Sequence, residues 1–112
     1  MRIFKLAPLA TAALFLATLP GHTTDAEPGY MPDAAHGLDL AKRWCASCHL
    51  VSADQQHASA DVPPFATIAV TPGFNADRLA RFLLDPHPKM PELPLSRTAA
   101  DDIAAYIASL KK

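Results

Sequence analysis

Cys45-Ala46-Ser47-Cys48-His49 restricts this chain more than any other segment. Cys45 and Cys48 are the only cysteines among the 112 residues, and they lie three apart. A disulfide between them would close a tiny ring and remove little freedom from the unfolded chain. A domain of this size buries a limited core and needs a staple: a disulfide, a metal or a cofactor. The staple is then something that the two thiols and the adjoining imidazole hold together.

A C-x-x-C-H run is the attachment signature of a c-type haem. Two thiols three apart on one helical turn each reach a vinyl group of the porphyrin and form thioethers, and the next residue, His49, projects its imidazole to the iron. Rival uses of the pair are weaker. A thioredoxin-like C-x-x-C follows a strand in a βαβ unit, and no such pattern is visible. A structural zinc site needs four ligands, usually two such pairs, and only the five histidines are left to complete it. A purely structural pair of cysteines is the remaining option.

The N-terminal stretch does not belong to the folded domain. Arg2 and Lys5 precede an apolar run from Leu6 to Leu19, broken only by Pro8 and two threonines. A run of about fourteen residues is shorter than the ~20 that cross a bilayer. With the polar residues that follow, this reads as a secretory signal peptide over 1–26, cut near Thr24-Asp25-Ala26; an uncleaved anchor is the alternative. Removing it takes away Arg2, Lys5 and Asp25, leaving eight basic and ten acidic residues and a formal charge of −2. That balance excludes nucleic acid, which calls for a basic patch. No block of like charge suggests a membrane surface, and no integral membrane segment is expected after processing.

Residues 27–35, rich in Pro and Gly, read as an irregular leader, and the folded domain spans 36–112. A helix is expected from His36 to about Cys48, because Gly37, Ala41, Trp44, Cys45 and Cys48 share one face of a 3.6-residue period. Residues 50–74 have no convincing period; a loop this long is acceptable where it packs on a large apolar ligand instead of on protein. Asn75 predicts the N-cap of a short helix with Leu79, Phe82 and Leu83 inward, stopped by Pro86. Four prolines in residues 85–94 forbid regular structure there. The last helix carries Ala99, Ile103, Tyr106, Ile107 and Leu110 on one face, with Thr98 and Asp101 as a capping box. The expected fold is all-α, with three main helices and long loops.

With the attachment motif first, a Pro-flanked methionine in Pro88-Lys89-Met90-Pro91, Tyr106 on the last helix and Gly37 eight residues before Cys45, the chain resembles the single-domain, class I c-type cytochromes over residues 36–110. The resemblance implies a small fold wrapped around one covalent haem c, with His49 and Met90 as axial ligands. Met31, the other methionine left after processing, precedes the motif, on the wrong side for this family. His87 is the rival ligand; bis-histidine ligation lowers the reduction potential and Met/His ligation raises it. In this family a proline carbonyl accepts the Nδ1–H of the axial histidine, a role for Pro63 or Pro64, and Phe65 would then pack on the haem. Trp44 lies along the haem edge or covers the helix crossing. One departure is Ala41, where relatives often carry an aromatic four residues after the glycine; Trp44 is the candidate to supply that volume.

Two protein ligands leave the iron no open position. The expectation is therefore a periplasmic one-electron carrier, not an enzyme, that meets redox protein donors and acceptors through a small apolar patch near Lys89. The alternatives are a haem protein with weak or absent methionine ligation, acting as a peroxidase or gas sensor, and an electron-transfer subunit of a periplasmic dehydrogenase.

Overall fold

The computed structural model describes residues 28–85 and 88–112. The expected signal peptide and the rival ligand His87 lie outside the described residues. Four helices occur in the order α1 (Ala34–Trp44), α2 (Phe65–Ala69), α3 (Ala76–Leu84) and α4 (Arg97–Ser109), and the described residues contain no strand. The all-α expectation holds, with one more short helix than the sequence predicted.

Helix α1 starts two residues earlier than its periodicity suggested, because Asp33 caps it by accepting from the N–H groups of Ala35 and His36. It also ends earlier, at Trp44. The Ala46 N–H turns back to the Ala41 carbonyl in a wider loop, and tight turns carry the chain through the cysteine motif. Lys42 and Arg43 lie in its last turn, where the helix dipole favours positive charge. Pro64 opens α2, whose five residues are too few to print a period on the sequence.

Helix α3 begins at the Asn75 cap, whose side chain accepts from the Arg78 N–H, and ends at Leu84, with Asp85 as its C-cap in extended backbone. Its inward face is the expected one at Leu79 and Leu83 but not at Phe82. Ala80 is fully buried, Leu79 and Leu83 are half-buried, and Phe82 stands 49 % exposed. The cap of α4 also differs: Ser96, not Thr98, accepts from the Ala99 N–H. Asp101 pairs instead with Arg97 across one helical turn, at 3.2 Å.

Helix α4 is the spine against which α1, α2 and α3 all pack. Ala41, Cys45, Val51, Phe65, Ala69, Ile103, Tyr106 and Ile107 form the main core. The buried residues of a second seam between α3 and α4 are Ala80, Ala100 and Ala104, small side chains that let the two backbones approach closely, with Ala76, Leu79 and Leu83 packed against them. At the α1/α4 crossing Gly37 is tighter still. A Cβ placed on it would lie 2.0 Å from the Asp102 carbonyl oxygen. Only glycine fits this contact.

The crossing also holds a buried carboxylate that the apolar periodicity of α4 concealed. Asp102, 1 % exposed, accepts from the Tyr30 hydroxyl at 2.5 Å and the Asp33 N–H at 2.7 Å, and its other oxygen lies 2.6 Å from His36 Nδ1. Desolvation pushes this carboxyl up, but the Tyr30, Asp33 and His36 contacts outweigh it, and the pKa lies below the ordinary aspartate value. The same contact, with burial and the neighbouring carboxylates, pushes the Tyr30 hydroxyl up to about 12. The irregular segment before α1 is thus fastened to α4.

Candidate functional site

The turns after α1 place Cys45 inward, 5 % exposed, and Cys48 outward; the two thiols are not bridged. Burial pushes the Cys45 thiol up to about 11. Among the described residues no group of three His, Cys, Asp or Glu side chains could hold a metal ion.

His49 follows directly, its backbone N–H bonded to the Cys45 carbonyl at 2.9 Å. Its Nδ1 lies 2.7 Å from the Pro63 carbonyl oxygen. A carbonyl only accepts, so Nδ1 carries the proton and the lone pair of the neutral ring sits on Nε2. Of the two prolines singled out by sequence, Pro63 makes this contact and Pro64 caps α2. The Phe65 ring is 5.2 Å from the His49 ring and 6.4 Å from that of Tyr106, in tilted arrangements that carry the imidazole's packing down to α4.

Two adjoining hollows meet at these residues. Cys45, His49 and Met90 line both. One hollow adds Trp44, Cys48, Val62 and Leu93; the other adds Phe65, Leu79 and Phe82. Trp44 therefore faces the cleft, 37 % exposed. The exposed ring of Phe82 has the same explanation, since it faces the cleft and not the protein core. Met90 reaches this position from a backbone in which Lys89 has φ +75°, a left-handed conformation strained for a residue with a Cβ. Sequence reasoning did not single out Val62 or Leu93, which lie in stretches without periodicity.

A further hollow, of about 340 Å³, lies elsewhere, among Tyr30, Arg81, Arg97 and Asp101. No thiol, imidazole or thioether lines it, and Arg97 and Asp101 are spent on each other.

The donors in the cleft are two thiols, one imidazole with a free Nε2, and one thioether, set among half-exposed apolar rings. That chemistry fits a covalently attached haem. No family model and no solved structure matches the chain. The chain is similar to the protein named cytochrome c-552 from Bradyrhizobium diazoefficiens, with 68 % identity over 79 residues, covering 70 % of this chain and 76 % of that protein.

The chain belongs to the c-type cytochromes. Haem c is its cofactor, and electron transfer, not enzymatic turnover, is its work. The all-helical fold agrees with the class I resemblance. No helix among the described residues is long and apolar enough to cross a membrane.

Proposed function

We propose that this cytochrome is a periplasmic one-electron carrier in which Cys45 and Cys48 bind the haem as thioethers and His49 and Met90 are the axial ligands. Each thioether arises by adding a thiol S–H across a vinyl double bond, so attachment needs no oxidant. When bound, the haem supplies Fe(III)/Fe(II) exchange. The protein's part is to hold the ligands and keep the cleft dry.

The observation that carries the ligand assignment is that His49 and Met90 line the same two hollows. The Pro63 carbonyl fixes the imidazole's rotation and tautomer, and leaves Nε2 for the metal. Pro91 follows Met90, and a methionine restrained in this way loses little freedom on ligation. Phe65 and Trp44 line the pocket. Export to the periplasm is supported by the basic start and short apolar run of residues 2–19. Docking through a patch near Lys89 with few charges would show as an exchange rate with a redox partner that is only weakly salt-dependent.

The test is a pair of visible spectra, oxidised and reduced, of protein exported by a host with haem-attachment machinery. A c-type α-band, a weak long-wavelength sulfur–iron band in the ferric form that Met90→Ala abolishes, and no response to carbon monoxide are expected. Prompt carbon monoxide binding by the unmodified protein would overturn the Met90 assignment and favour an open-iron peroxidase or sensor.

A further inference from the structure

The backbone leaving the attachment motif has a donor for each of four successive carbonyls. Cys48 O receives the Ser59 N–H at 2.8 Å, and Leu50 O the Phe65 N–H at 3.0 Å. Val51 O receives the Tyr106 hydroxyl at 2.6 Å. The fourth, His49 O, receives a side chain: Gln55 Nε2, at 2.8 Å. Ala46 O, at 2.9 Å, and His57 O, at 2.6 Å, lie within reach of the same nitrogen, whose two N–H groups are shared among the three carbonyls, and Gln55 Oε1 accepts from the Val51 N–H at 3.0 Å. One amide therefore grips the motif before Cys48, at His49 and just after it. Three acceptors on Nε2 and one N–H on Oε1 also fix which way the amide points.

We infer that Gln55 is the positioning residue for His49, holding the backbone of the axial histidine while the Pro63 carbonyl holds its ring. The inference rests on the proposed ligation by His49 and extends it to a residue that touches neither the ring nor the cleft. A ring pinned only at Nδ1 still swings if its Cα moves, because the Pro63 contact is a single bond 14 residues away along the chain. The Gln55 clasp removes that freedom. The His49 N–H is bonded to the Cys45 carbonyl, and Gln55 supplies the donor for the His49 carbonyl, since the backbone of segment 53–61 contributes only the Ser59 N–H to the motif. Glutamine suits the task where glutamate does not. A carboxylate of the same shape would set an oxygen against three carbonyl oxygens.

The experiment is NMR on the haem-loaded protein. In the unmodified protein the two Nε2 protons of Gln55 are expected to exchange about tenfold more slowly than those of the neighbouring, exposed Gln56. This comparison needs no variant to fold. In Gln55→Ala and the isosteric Gln55→Glu, the ring resonances of His49 are expected to shift and broaden as the imidazole samples more than one orientation, whereas Gln56→Ala leaves them in place. Equal exchange at Gln55 and Gln56 would overturn the inference. So would variants that lower the urea midpoint yet leave the His49 resonances unmoved, since that is what a residue that only stabilises the loop would do. The paramagnetic shift of the His49 ring in the unmodified protein reads the ligation separately: its presence with unmoved resonances in the variants rejects Gln55 alone, and its absence rejects both.

Discussion

Replacing Gly37 by alanine separates two effects that point in opposite directions. In an isolated helix the change would stabilise α1, since alanine is favoured over glycine by about 1 kcal/mol. At this position the new Cβ would lie 2.0 Å from Asp102 O, 2.5 Å from its carbonyl carbon and 3.0 Å from Tyr106 Cβ, where ordinary contact begins at 3.4 Å. The first two atoms are backbone of α4, so no side chain can step aside. Relief requires α1 to lift off α4 by roughly 1 Å or more, an extreme form of core overpacking. The same movement stretches the Asp33 and His36 contacts with Asp102, now 2.7 and 2.6 Å. Overpacking costs about 1–3 kcal/mol, and an immovable partner puts this case at the upper end. After the helix gain the net loss is about 2 kcal/mol. With a urea dependence of about 1–3 kcal/mol per molar, the unfolding midpoint of the haem-loaded protein should fall by roughly 1 M. A Gly37→Ala midpoint equal to or above that of the unmodified protein would refute the close crossing.

The buried carboxylate makes its own predictions. Asp102→Asn turns one accepting oxygen into a donor facing donors, and should cost about 2 kcal/mol at neutral pH. Because the folded pKa of Asp102 is lowered, its contribution is fully present above the ordinary carboxyl value and is lost as pH falls through the folded one. The urea midpoints of the two proteins should therefore converge on acidification below about pH 4. Tyr30 has the opposite sign. Its hydroxyl is raised to about 12, so its contribution is complete below about pH 10 and lost as pH rises through 12. Tyr30→Phe should flatten that part of an alkaline denaturation curve. Tyr106→Phe leaves the Val51 carbonyl without its donor in the core, and thermal unfolding should report a loss of about 1–3 kcal/mol.

What the sequence revealed and what it hid divide along physical lines. The cysteine motif is legible because the chemistry of attachment dictates its spacing, and prolines mark out the segment that brings Met90 to the cleft. Asn75 predicted the start of α3 because a cap is a local event. Phe82 misled because periodicity tells which residues share a face, not whether that face meets protein or an apolar cleft. Helix α4 buries a wider arc than its Ile103–Tyr106–Ile107 stripe implies, since α1 and α3 flank it; hence Ala100 and Asp102 escaped notice. Thr98 and Asp101 have the spacing of a capping box, but Ser96 takes the cap and Asp101 has Arg97 in reach. Gln55 was invisible because its importance lies in four contacts fixed by the course of a loop. Of residues 50–74, expected to pack on a ligand, the start is pinned by that side chain and by Tyr106.

The bond between Tyr30 and Asp102 sets a limit on how this chain can be trimmed. A cut anywhere before Tyr30 leaves the buried carboxylate with all three partners. A cut between Tyr30 and Asp33 removes the phenol, and one beyond Asp33 strips the cap of α1 as well. Proteolysis from the N terminus should therefore stall at this point while the domain is folded, and engineered forms that begin later than Tyr30 start with a buried anion that has lost at least one of its three partners.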